Sequence, residues 1–239
     1  MGGGSDLKNI GFKGADHKSG RLAKKWMRFW AGRSGISIFG RISSRLAAWL
    51  APPHMGQVSL AYMTPNGYID AAAIIYHSDF HIGQNVYIAP RVVIYQSTEG
   101  QSIKLGDKVA IHRDAVLENG RGGYIEIGNK SSVHPGCQLK SYSQPIIVGE
   151  GVMIAANVAL YSYDHGMAAD IPMREQPIIA KAPVIVEDDA WIGTGAIILS
   201  GVTIGRGAVV GAGSVVTRNI PANAIAVGNP ARVVKYRAK

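Results

Sequence analysis

Between Val184 and Val216 the chain reads VIVEDDAWIGTGAIILSGVTIGRGAVVGAGSVV, and its aliphatic residues stand six apart at Val186, Ile192, Ile198, Ile204, Val210 and Val216. Small or β-branched residues follow four later, at Ala190, Ala196, Val202, Ala208 and Ser214. A period of six fits neither the 3.6 of a helix nor the 2 of a strand, so neither an amphipathic helix nor a hairpin meander explains it. Three six-residue strand-plus-turn units per coil do explain it: each aliphatic then points into a triangular prism and the small residues fit beside its corners. The spacing predicts a parallel β-helix.

The repeat is long. It starts with Ile69 and Ile75 and runs through Ile82, Ile88 and Ile94; Leu105, Ile111 and Leu117; Ile127, Val133 and Leu139; and Val148, Ile154 and Leu160. From Ile82 onward each triplet is one coil. Between triplets the spacing exceeds six by five, four, three and then twenty residues, so every insertion falls at the same corner. STEGQ, NGRGG and SYSQP read as small surface turns from their Gly, Ser and Pro content. The long segment 161–183, YSYDHGMAADIPMREQPIIAKAP, is different, because loops of this size in compact proteins usually carry function.

Outside the repeat the chain divides into an N-terminal segment, 1–60, and a closing segment, 221–239, around the 61–220 solenoid. Residues 1–60 hold ten Lys and Arg against Asp6 and Asp16, a net +8 that accounts for nearly all of the chain's formal +9. MGGGS carries no expected structural role. Leu22, Trp26, Phe29 and Trp30 share one helical face, and Ile38, Ile42, Leu46 and Trp49 share another that stops before Pro52 and Pro53. Two basic amphipathic helices are therefore predicted. They suit either a cover for the open end of the solenoid or peripheral contact with an anionic membrane through 19–50. No nucleic-acid motif accompanies the charge. Pro221 and Pro230 are expected to stop strand extension, with the basic tail closing the last coil. The single cysteine, Cys137, excludes an internal disulfide and reads as a small core residue. No leader-like or 18-residue apolar stretch is present, so a cytoplasmic protein is expected, at most peripheral to the inner membrane face.

The [LIV]-G-x-x-A-x units, the Asp164-His165 pair before the long loop, the WIG at Trp191 to Gly193, the segment Val210 to Thr217 and the closing GNPARVV resemble the hexapeptide-repeat acyltransferases, in their galactoside, maltose and xenobiotic O-acetyltransferase branch. The resemblance covers about Ile82 to Val234. It implies an all-β, left-handed parallel β-helix, since nothing in the spacing itself fixes the hand. It also implies acetyl-CoA as co-substrate, a sugar or glycan hydroxyl as acceptor, and a homotrimer with its site between prisms. His165 matches the family's general base, in keeping with the proton-transfer chemistry of imidazole near neutral pH. Thr194 matches the group that holds the thioester oxygen. The positions matching the coenzyme A groove are Trp191, Thr194, Gly211, Ala212, Thr217 and Arg218, with Asn229, Pro230 and Arg232 toward the adenine end. Corner packing explains the glycines equally well. His134 stands where the family often has an acceptor-contacting asparagine, and Asp164 completes the acceptor side.

Zinc is not expected. Of His77, His81, His112 and His134, the first two are four apart, and no pair has the five-residue spacing of the zinc-bearing β-helices. Two other functions fit the repeat: a serine O-acetyltransferase and a non-catalytic β-helix scaffold. The histidine loop, WIG and GNPARVV count against the scaffold.

Overall fold

The computed structural model describes residues 20–52 and 55–238. Its centre is a triangular solenoid of parallel strands that stack coil on coil in three faces. The first face runs from Tyr68–Ile69 to Val209–Val210 and ends in the hairpin Ala224–Gly228 and Ala231–Tyr236. The second runs from Ile74–Tyr76 to Val215–Val216, and the third from Phe80–Ile82 to Thr203–Ile204. The register follows the sixfold spacing: Ile154 pairs with Ile192, Leu160 with Ile198 and Val148 with Val186.

Every sixth residue points inward, as expected. Ile88, Ile94, Ile111, Leu117, Val133, Leu139, Ile154 and Leu160 are buried, and so are the corner residues Ala190, Ala196, Val202, Ala208 and Ser214. Burial of each large aliphatic favours the fold by roughly 1.5–3 kcal/mol, while strand-to-strand hydrogen bonds satisfy the backbone. Cys137 is one of these core residues; its thiol donates to the Ala155 carbonyl at 3.0 Å, and burial pushes its pKa up to about 11. Coils approach so closely that Gly193 cannot carry a side chain: an added Cβ would lie 2.6 Å from the Ala212 nitrogen.

The insertions all leave from the corner between the second and third faces. They are not simply surface turns. Asn119 and Ser141, which open two of them, and Ser162, the second residue of the long one, are buried and serve as internal polar plugs. Ser141 Oγ donates to the carbonyl of Tyr124 or Gln144, 2.9 and 3.0 Å away. Asn119 Nδ2 donates to the carbonyls of Gln101 and Gly123. A corner that bulges exposes carbonyls inside the fold, and these side chains satisfy them.

Three helices cover the first coil: α1 (Arg21–Ala31), α2 (Ile38–Ala48) and α3 (Met55–Ala61), the last not anticipated from the sequence. Met27, Ala31, Ala47, Leu60 and Ala61 join the solenoid core. Ser37 caps α2 by accepting from the Gly40 N–H at 3.0 Å. Arg41 donates to the carbonyls of Ala71 and Ala73, tying α2 to the first coil. At the other end a strand re-forms after Pro230, against expectation. Pro230 lies in the hairpin turn, where its missing N–H costs no ladder bond, and Gly228 N–H fastens that turn to Ser214 Oγ at 3.0 Å.

Candidate active site

The segment 161–183 is a built structure. Asp164–His165 pairs antiparallel with Ile178–Ile179, setting Asp164 against Ile179 and His165 against Ile178. Gly166 N–H donates to the Pro177 carbonyl at 2.8 Å, and a Cβ at Gly166 would come 2.7 Å from Gln176 Oε1. Gln176 is buried and organises the tip: its Nε2 donates to the carbonyls of Ala168 and Ile171, both at 2.7 Å. At the base, Ser162 Oγ accepts from the Tyr142 N–H and Ser200 Oγ donates to the Ser162 carbonyl, both at 2.8 Å. The hairpin is thus stapled to the coils on either side of it.

Successive strand residues face opposite sides, so His165 projects outward and exposed while Asp164 is half-buried on the other side. On the same side as His165 stands Tyr163, with ring centroids 6.3 Å apart. Tyr163 in turn meets Tyr142 and Tyr161. Burial raises the Tyr163 phenol above its ordinary pKa, so it stays a protonated donor near neutral pH. Beneath this aromatic cluster Lys140 Nζ and Glu118 Oε2 form a half-buried ion pair at 3.2 Å. Burial alone would lower the Lys140 pKa, but the Glu118 hydrogen bond and charge outweigh it and the net shift is upward.

The residues singled out from the sequence sort onto two edges of the second face. At its junction with the third face lie Asp164 and His165, and two coils on, exposed Thr217 and Arg218. At its junction with the first face lie His134, Thr194, Gly211 and Ala212, beside Trp191 and the closing turn of Asn229 and Pro230, with Arg232 just beyond. Trp191, Thr194 and Ala212 are exposed there. Gly211 has a packing reason, because a Cβ would fall 2.6 Å from Val227 Cγ1. A whole face separates the edges, so one chain does not bring His165 to Thr194 or His134. His134 instead lies against His112, ring centroids 4.8 Å apart, and His112 against Tyr87. Burial lowers the pKa of both imidazoles, that of His112 to about 4. Among the described residues no group of three or more His, Cys, Asp or Glu could hold a metal.

Sequence reading missed Ser162, Gln176 and the Glu118–Lys140 pair. The pair had a findable signal: each follows a core position of the second face, Leu117 or Leu139, and the register sets them side by side. Gln176 had none, because its role depends on how the loop folds back.

Residues 183–218 match the bacterial transferase hexapeptide (six repeats) family. The late coils thus carry the hexapeptide repeat of that family. The left hand of the β-helix follows from that repeat. The chain is 33% identical over 189 residues to the probable acetyltransferase Rv3034c of Mycobacterium tuberculosis, covering 79% of this chain and 54% of that protein. It is 34% identical over 131 residues to the polysialic acid O-acetyltransferase of Escherichia coli O1:K1, covering 53% of this chain and 42% of that protein. A crystal structure of a candidate acetyltransferase of Bacillus cereus superposes with a TM-score of 0.55 at 28% identity, covering 70% of this chain and 85% of that one. The matched region spans about half the length of the first curated relatives. No helix among the described residues is long and apolar enough to cross a membrane.

Proposed function

We propose that the protein is an O-acetyltransferase that moves an acetyl group from acetyl-CoA to a hydroxyl of a sugar or glycan. The observation that carries this reading is the stapled hairpin that presents His165, exposed, on one edge of the second face while the thioester-side candidates line the other edge. Two copies set side by side join one edge of each, which a closed trimer of parallel prisms does three times over. In that arrangement the His165 imidazole takes the proton from the acceptor hydroxyl as its oxygen attacks the thioester carbonyl. Thr194, through its N–H or hydroxyl, stabilises the oxyanion of the tetrahedral intermediate. Collapse breaks the carbon–sulfur bond, and the imidazolium returns the proton to the departing thiolate, giving an O-acetyl ester and coenzyme A. Exposed Thr217, Arg218 and Arg232 offer hydroxyl and guanidinium donors to the pantetheine arm and its phosphates. His134 offers an imidazole to the acceptor.

Two relatives support the sugar side and the acetyl side: one curated relative acts on polysialic acid and another is named an acetyltransferase. Purified protein incubated with acetyl-CoA, a thiol reagent and a panel of sugars should release free thiol only with a suitable acceptor, whose mass rises by one acetyl group. His165→Ala should fold normally and turn over about 10²-fold more slowly or worse. Equal turnover in that variant would mean that another group is the base.

A further inference from the structure

Helix α2 packs on the solenoid with its small residues and turns its large ones away. In α2 the buried stripe is Gly40, Ser43, Ser44 and Ala47; on the opposite side stand Ile38, Ile42 and Trp49, which are 79%, 50% and 76% exposed. In α1 the buried residues are Met27 and Ala31, while Leu22 and Phe29 are exposed. The two apolar stripes are one surface: Trp26 Nε1 donates to the Leu46 carbonyl at 2.8 Å, and the Trp26 and Trp49 rings meet at 6.4 Å. A shallow groove of about 480 Å³ lined by Arg45, Leu46, Ala48 and Trp49 opens on it.

This surface carries one sign of charge. Of the seven Lys and Arg in residues 20–66, Arg21, Lys24, Lys25, Arg28, Arg33 and Arg45 are exposed while Arg41 is turned to the first coil, and the segment contains no Asp or Glu. None of the seven forms an ion pair among the described residues. Arg33 lies over the Phe29 ring, 3.7 Å from its centroid, so cation and apolar surface alternate closely. A second copy of the same face is a poor partner, because pairing it with itself would bring two all-cationic surfaces together. Exposed tryptophan and aliphatic side chains rimmed by Lys and Arg match the layered chemistry of a bilayer boundary: anionic headgroups outside, acyl chains within.

We propose that the outer face of the helical cap docks on an anionic lipid bilayer surface, with Leu22, Phe39, Ile42 and Trp49 entering the acyl boundary and the lysines and arginines of α1 meeting the headgroups. The solenoid would then stand on the membrane by its first coil, with the His165 hairpin four coils above the surface. Parallel prisms in a trimer would present three such faces together and multiply the attachment.

Flotation of the full-length protein with vesicles tests this. Vesicles of phosphatidylcholine containing about 30% phosphatidylglycerol should carry the protein, whereas pure phosphatidylcholine should carry about tenfold less or none, as expected of electrostatic attraction to the surface. Raising the salt should release it. Two sets of exposed residues then dissect the face. Leu22→Ser/Phe39→Ser/Trp49→Ser should abolish flotation, and Lys24→Gln/Lys25→Gln/Arg28→Gln should cut it about tenfold. Both should retain wild-type acetyl transfer to a soluble acceptor, a readout that separates this proposal from the assignment of the reaction. No flotation of the wild type, equal flotation on neutral vesicles, or unchanged flotation of both variants would overturn the proposal. So would a change of oligomeric state in the serine variant alongside a wild type that does not float, which would give the face to a second copy.

Discussion

The helical cap and the prism wall are both written in amphipathic patterns, yet they obey opposite rules. In the wall from Ile88 onward, the residue at every sixth position is large, aliphatic and buried. In the cap's second helix, the buried positions belong to Gly40, Ser43, Ser44 and Ala47, and the large apolar Ile38, Phe39, Ile42 and Trp49 lie outside. The wall has no choice: each strand is hydrogen-bonded to the coils above and below, which leaves one direction that is inside. A helix satisfies its own backbone and is free to present either stripe. Small residues permit close approach to the first coil, and the bulky stripe is left for another surface. An apolar pattern therefore reveals that a face exists, while only the packing reveals what it faces.

The sharpest way to break this comparison is to truncate one large apolar residue in each region. Leu117→Ala in the wall should leave a cavity among stacked aliphatics that cannot collapse, and lower stability by about 2–5 kcal/mol. Phe39→Ala in the cap removes a ring that is 62% exposed and should change stability by no more than about 0.5 kcal/mol. Urea midpoints of the two variants check this. Similar losses in both would mean that the cap's outer face is covered in the protein alone, and the contrast drawn here would fail.

Buried polar groups separate the regions in a second way. Asn119 has every polar atom engaged: Oδ1 contacts His77 Nε2 at 3.0 Å and Nδ2 donates to two carbonyls. Because the Asp79 N–H donates to His77 Nδ1, the His77 proton sits on Nε2 and points at Asn119. Ser43 of the cap is equally buried, but its Oγ has no partner among the described residues. Asn119→Ala should therefore cost about 1–3 kcal/mol by stranding the His77 donor and the Gln101 carbonyl, the Gly123 carbonyl keeping the Gln101 N–H, whereas Ser43→Ala should be neutral or slightly stabilising. Reversal of that order in equilibrium unfolding would show that burial alone, without pairing, decides the cost.

These contrasts also mark what could be read in advance. The six-residue period was enough for the coils, their register and the corner from which all insertions leave, because one repeated geometry makes spacing equivalent to position. His165 could be placed at the start of the loop by the same count. The polar plugs could not: Asn119 and Ser141 open stretches whose composition signals surface turns, Ser162 sits near the start of the long loop, and only the folded corner shows that all three turn inward. The separation of His165 from Thr194 and His134 by a full face was implicit in the count, since those positions follow different members of a triplet. The shape that the long loop takes, and the part Gln176 plays in it, rest on contacts within the loop that no period records.

Acid should weaken the wall and leave the cap untouched. The described residues of the cap, 20–52 and 55–66, contain no carboxylate and no imidazole. The wall holds His112, whose pKa burial lowers to about 4, helped by the nearby charges of His134 and Arg113. His77 and His134 are shifted the same way, chiefly by burial. An unfolded chain has ordinary imidazoles that titrate near pH 6.5, so between about pH 6.5 and pH 4 the unfolded state binds protons that the native state refuses. Stability is then full above that window and is lost as pH falls through it. The urea midpoint should drop between about pH 7.5 and pH 5, and His112→Gln, which cannot titrate, should show a smaller drop from a lower start. The size is modest, because His112 is only half-buried and solvent screens part of the effect. An equal drop in that variant would assign the acid sensitivity to other groups, most directly to His77, whose neutral form is required by the Asp79 N–H it accepts.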